Sequence, residues 1–154
     1  MTQDIYDQSQ YQIDPLVGIL TEASIKFLRE FGSFLPHAAL FSLDGEVNLH
    51  GAAPEEEMVS SLEVLPLLHE GLRHVVATGK YEAVAVAEQV MVSPDGGEMK
   101  DAIKVSFENN LGLSVAFYTP FKKGILGVIK ALEWFLVNAE PEIIEAWPDK
   151  NNRE

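Results

Sequence analysis

The chain has 154 residues, 47% of them hydrophobic, enough for one domain with a buried core. It has no cysteine, which excludes disulfides, thiolate nucleophiles and Cys-type zinc or iron–sulfur sites. Eleven Lys and Arg against 24 Asp and Glu leave a net charge of −13, a field that repels nucleic-acid backbones and anionic lipid headgroups.

Residues 1–13, rich in Gln, Asp and Tyr, read as a flexible N-terminal arm. The opening lacks the basic and apolar regions of a secretory signal, and no stretch approaches the length of a membrane span; a cytoplasmic protein is the expectation. A single domain is then expected over 14–147, with a polar tail over 148–154. Asp14-Pro15 reads as a helix start, an acid to cap free amides before a proline at the first helical position. Leu16, Leu20, Ala23, Phe27 and Phe31 follow at helical spacing, and Gly32 supplies the stop.

Asp44-Gly45 between two β-compatible runs signals a hairpin. A two-residue loop would pair Phe41 with Asn48 and Leu43 with Glu46. A three-residue loop with Gly45 left-handed would pair Phe41 with Val47 and Ala39 with Leu49, gathering the apolar side chains on one face. The second register is preferred. Pro54 and Glu55-Glu56-Glu57 then begin a second helix whose stripe reads Met58, Leu62, Leu65, His69, Leu72 and Val76. Pro66 within it is expected to kink or split the helix, and Gly79 ends it.

From Ala83 the period becomes two. Val84, Val86, Val90 and Val92 alternate with Ala83, Ala85, Ala87 and Met91, as in a strand covered on both faces. After a turn at Pro94-Asp95-Gly96-Gly97, Ile103, Val105 and Phe107 oppose Lys104, Ser106 and Glu108. Beyond Asn109-Asn110, Leu113, Val115 and Phe117 oppose Ser114, Ala116 and Tyr118. Residues 125–137 fit either a helix or extended chain, and both readings stand. The order α-β-β-α-β-β-β predicts an α+β domain, with a mostly antiparallel five-stranded sheet and helices on one face.

Three stretches carry a resemblance: Phe34 to Gly45 (FLPHAALFSLDG), Leu72 to Val92, and Ala102 to Phe121, which includes AIKVSFE and YTPF. Together they resemble a group of small uncharacterised bacterial proteins with a YPFAA-DG hairpin, an LR…G…A helix-to-strand join and an AI…E…G…PY strand pair. Leu35-Pro36 and Pro120-Phe121 depart from that pattern. The resemblance implies a fold and no activity, and it implies an irregular course after the strand pair. The element order is also similar to the profilin-like arrangement of roadblock and longin domains, small dimerising scaffolds. That likeness concerns topology alone.

Little in the sequence points to chemistry. The preferred hairpin register puts His37 and His50 on opposite faces, and His69 and His74 lie five apart on a helix, a poor spacing for shared ligands. His69 falls on an apolar stripe and reads as a half-buried structural histidine. Asp95, Glu98 and Asp101 crowd a glycine turn but lack the spacing of a calcium loop. No nucleophile elbow, phosphate loop or dinucleotide fingerprint occurs, so no catalytic residue, metal or cofactor is assigned. Tyr118, Phe121, Trp134, Phe135 and Trp147 gather in the last third and form the candidate interface, aromatics being enriched at such surfaces. The expectation is a non-enzymatic interaction or regulatory module, as a homodimer or with a protein partner. The alternatives are a small-molecule binder with a pocket between sheet and helices, and an acidic immunity-type inhibitor of a basic partner.

Overall fold

A computed structural model describes residues 2–51 and 60–148. Two helices, α1 (Thr2–Gln8) and α2 (Gln10–Phe31), precede a hairpin of β1 (His37–Ser42) and β2 (Val47–Gly51). Helix α3 (Ser61–Val76) leads to β3 (Tyr81–Val92), β4 (Lys100–Asn109) and β5 (Ser114–Lys123). A 3-10 turn at Ile125–Gly127, two short strands, β6 (Ile129–Ala131) and β7 (Phe135–Asn138), and a second 3-10 turn at Ile144–Ala146 complete the described residues. None of the described helices is long and apolar enough to cross a membrane.

The chain is α+β with an antiparallel sheet, but the sheet has seven strands rather than five. Their order is β2-β1-β3-β4-β5, with β6 and β7 both beside β5. Residues 125–137 therefore form no long helix: a single 3-10 turn at Ile125–Gly127 leads into the two short strands. Leu126 and Gly127, both at positive φ, turn the chain back, and one residue of register is gained between Phe121↔Ala131 and Tyr118↔Phe135. The β1–β2 hairpin takes the three-residue loop, with Phe41 opposite Val47, Ala39 opposite Leu49 and Gly45 at φ 85°.

The helices occupy both faces of the sheet, not one. Ala39, Ala83, Ala85, Ala87, Ile103, Val105, Phe107, Val115 and Phe117 share a core with Leu16, Leu20 and Leu28 of α2. Ala38, Leu40, Val84 and Val86 share another with Leu68, Leu72 and Val76 of α3. The alternation in β3 explains this arrangement. Its alanines leave room for the leucines of α2, while its valines fill the space under α3.

Both helical stripes are rotated from the expected ones. Helix α2 buries Gln12, Leu16, Leu20, Ser24 and Leu28, four apart, and leaves Phe27 and Phe31 outside. Gln12 and Ser24 tolerate burial because they are hydrogen-bonded; the Ser24 hydroxyl donates to the Leu20 carbonyl at 2.7 Å. Helix α3 buries Val64, Leu68, Leu72 and Val76, while Leu62 is exposed. Pro66 does not split α3. It stands in the second turn, where the carbonyl deprived of its donor belongs to the exposed Leu62. The expected start of this helix at Pro54–Glu57 lies outside the described residues.

The N-terminal arm is not loose. Residues 2–8 are helical, α2 starts at Gln10 rather than Asp14, and Ser9, Gln12 and Ile13 are buried. They are held by Asn109, whose amide donates to Ser9 Oγ at 2.7 Å and Gln12 Oε1 at 2.9 Å. Its oxygen accepts from the backbone N–H of Leu111 and Leu113. All four hydrogen-bonding capacities of that amide are used. The next residue back, Glu108, faces the opposite side of the sheet and is also buried. Its carboxylate accepts from the backbone N–H of Glu142, Ile143 and Ile144 at 2.8–3.0 Å. That clasp seats Ile143 and Trp147 in the α3-side core, where the Trp147 indole N–H donates to the Tyr81 carbonyl at 2.8 Å.

The sheet thus has two ends of different character. At the closed pole, where β3 starts and β4 ends, Glu108, Asn109 and Trp147 bind the two chain termini to the sheet. At the other, β3 and β5 end and β4 begins.

Candidate functional site

At this second, open pole α2 stops at Gly32, left-handed at φ 78°, while the twelve-residue strand β3 runs on beyond it. Among the described residues the sheet is left uncovered there, and a groove of about 840 Å³ forms. Gln89 and Met91 of β3 and Asp101 of β4 line it from the sheet; Phe27 and Phe31 line it from α2, and Phe34 to His37 from the loop entering β1. Ser61 borders it from α3. Its volume lies in the range of ligand sites.

The loop is built in place. Gln89 Oε1 accepts from the Phe34 N–H at 3.1 Å, which ties the loop to the sheet. The His37 ring lies edge-on to Phe27 and Phe34, at centroid distances of 5.5 and 5.4 Å. Its Nδ1 contacts the Leu35 carbonyl at 3.0 Å and its Nε2 the Ser24 hydroxyl at 3.4 Å. Burial pushes the His37 imidazole below its usual range, and the Leu35 carbonyl opposes that only in part. Both ring nitrogens face groups of the chain itself, so His37 acts as a wall of the groove.

The lining is chiefly apolar and in water: Phe31 is 70% exposed and Met91 58%. The Asp101 carboxylate and the Ser33 and Ser61 hydroxyls supply polar edges. Such a surface suits an apolar segment with a cationic or hydrogen-bonding flank. The groove opens to one side, and a smaller cavity of about 380 Å³ lies between α2 and the sheet, lined by Ile13, Val17, Phe117 and Trp134.

The five aromatics singled out from the sequence do not form one surface. Phe121 is buried in the α2-side core and Trp147 in the α3-side core. Tyr118 and Phe135 stack on each other across β5 and β7, with centroids 5.1 Å apart and planes 10° apart; Trp134 packs against Phe117 at 5.8 Å and remains largely exposed. None of the five lines the groove.

The histidines are dispersed. His37 and His50 face opposite sides of the hairpin: His37 meets Ser24 of α2, and His50 Nε2 would lie 3.6 Å from a Cβ at Gly71 of α3. His69 is half-buried on α3. Its imidazole is lowered by burial, against the pull of Glu142, with Arg73 adding to the lowering. Among the described residues, no group of three or more His, Asp or Glu side chains is placed to hold a metal ion. The groove was missed because it draws on four separate stretches. The available signal was Phe27 and Phe31 falling off the stripe set by Leu16, Leu20 and Leu28.

The chain matches no protein-family model, no curated protein and no solved structure.

Proposed function

We propose that this chain is a non-enzymatic interaction module whose open-pole groove receives a short apolar segment of a protein. One observation carries the reading. A fold that binds its termini so closely at one end leaves Phe27, Phe31, Leu35 and Met91 in water around a preformed groove at the other. Exposed apolar surface of this kind, rimmed by polar side chains, is characteristic of interaction sites. Favourable binding would come from burying those side chains, and orientation from Asp101 and the serine hydroxyls.

Titrating short apolar peptides into the 15N-labelled chain tests this. Saturable shifts confined to residues 27–37, 89–91 and 101, abolished by Phe31→Asp, are the expected result. No shifts from any peptide, or shifts centred on the Tyr118–Phe135 stack, would refute the reading.

A further inference from the structure

The turn between β5 and β6 also lies at the open pole, and its composition is unlike the rest of the chain. Lys122-Lys123-Gly124-Ile125-Leu126-Gly127-Val128-Ile129-Lys130 holds three lysines and no acid, in a chain of net charge −13. Ile129 is buried in the α2-side core, but the other three apolar side chains point outward: Leu126 is 97% exposed, Ile125 84% and Val128 59%.

This tip is rigidly based. Lys123 Nζ donates to the Gly32 carbonyl at 2.7 Å, and Gly124 N–H donates to the Val128 carbonyl at 2.7 Å. Gly127 passes so near α2 that a Cβ there would stand 3.3 Å from the Arg29 carbonyl. Leu126 itself is left-handed, at φ 61° and ψ 32°. Glycine or asparagine takes that conformation at lower cost than leucine. Within one copy of the chain, the leucine gains no burial that would offset it.

Resting on the groove reading above, we infer that the tip of one copy enters the groove of a second copy, and reciprocally. The two surfaces are complementary in kind. Ile125, Leu126 and Val128 meet Phe27, Phe31, Leu35 and Met91, and Lys122 and Lys130 meet Asp101 and the acidic field of the partner. They are also neighbours, since the base of the tip rests on Arg29 and Gly32 while Phe31 and Ser33 line the groove. A two-fold axis near this pole can therefore bring each tip to the other groove in a closed dimer. An anionic bilayer is the poorer partner, because polybasic anchoring takes roughly 4–8 cationic residues and the whole chain is strongly acidic.

Because the chain has no cysteine, site-directed cross-linking is a clean test. A Leu126→Cys chain mixed with a Met91→Cys chain under mild oxidant should give covalent dimers well above the yield from either variant alone. Sedimentation equilibrium should give a dimer for the unmodified chain and a monomer for Leu126→Asp, with Leu126→Asn, which suits the left-handed position, also dissociated. A chain monomeric at every concentration overturns the inference. So does Leu126→Cys cross-linking to itself as fast as the mixture, or pelleting with anionic vesicles that Leu126→Asp abolishes. If the inference alone fails, apolar peptides still shift the groove resonances of the monomer. If the groove reading fails, they do not.

Discussion

The two poles of the sheet are built on opposite terms. At the closed pole the buried polar side chains have partners from the same chain: Asn109 uses its whole amide, Glu108 accepts three backbone N–H groups, and the Trp147 indole donates to the Tyr81 carbonyl. At the open pole, Phe31, Met91, Ile125 and Leu126 meet water. The difference separates two tasks that act on the same sheet. The closed pole contributes to folding free energy, and the open pole offers surface whose burial awaits a partner.

Substitutions at the closed pole should therefore cost stability. Trp147→Ala removes the largest side chain of the α3-side core and is expected to lower the unfolding free energy by about 3–5 kcal/mol, measured by urea titration. A smaller loss would mean that residues 141–148 are a loose appendage. Glu108→Gln puts a donor where backbone donors converge, so a loss of about 1–3 kcal/mol is expected. Amide exchange sharpens this second test: protection should fall first at Glu142, Ile143 and Ile144, the three amides that share Oε1. Loss spread evenly over the sheet would argue against a local clasp. The Arg73–Glu142 pair beside it is half-exposed and should contribute little.

A subtler effect comes from the histidines. Burial lowers His37 and His69 below the ordinary histidine value of 6.5. As pH falls through that value, the unfolded chain takes up protons that the folded chain does not, so this contribution is present above it and is lost below. His37→Gln should reduce the loss of stability between about pH 7.5 and about pH 5.5 relative to the unmodified chain. An unchanged pH profile would show that His37 is better solvated than its place between Phe27 and Phe34 implies.

Much of the closed framework was legible in the sequence, and the reasons are local. Asp44-Gly45 and the alternation around it predict the β1–β2 register, and the Ala/Val alternation of β3 predicts a strand covered on both faces. That second reading already implied helices on both sides, at odds with the one-sided packing assigned to them. Non-local features were hidden. Ile125, Val128, Ile129 and Leu132 have spacings that suit a helix, and only pairing with β5 decides for strands. Gln12 and Ser24 look like surface residues until their hydrogen bonds are seen, which hides the true stripe of α2. Glu108 meets partners 34–36 positions away in the chain. Grouping aromatics by position merged buried Phe121 and Trp147 with exposed Trp134, because order along the chain says nothing of which face a residue takes.

The division between the poles is tested most directly by the urea unfolding free energy of the triple variant Phe31→Ser, Ile125→Ser, Leu126→Ser, measured at a concentration too low for association. Exposed positions predict a value within about 0.5 kcal/mol of the unmodified chain. A loss as large as that caused by Glu108→Gln would contradict the account, since it would make the open pole part of the core rather than a surface kept for a partner.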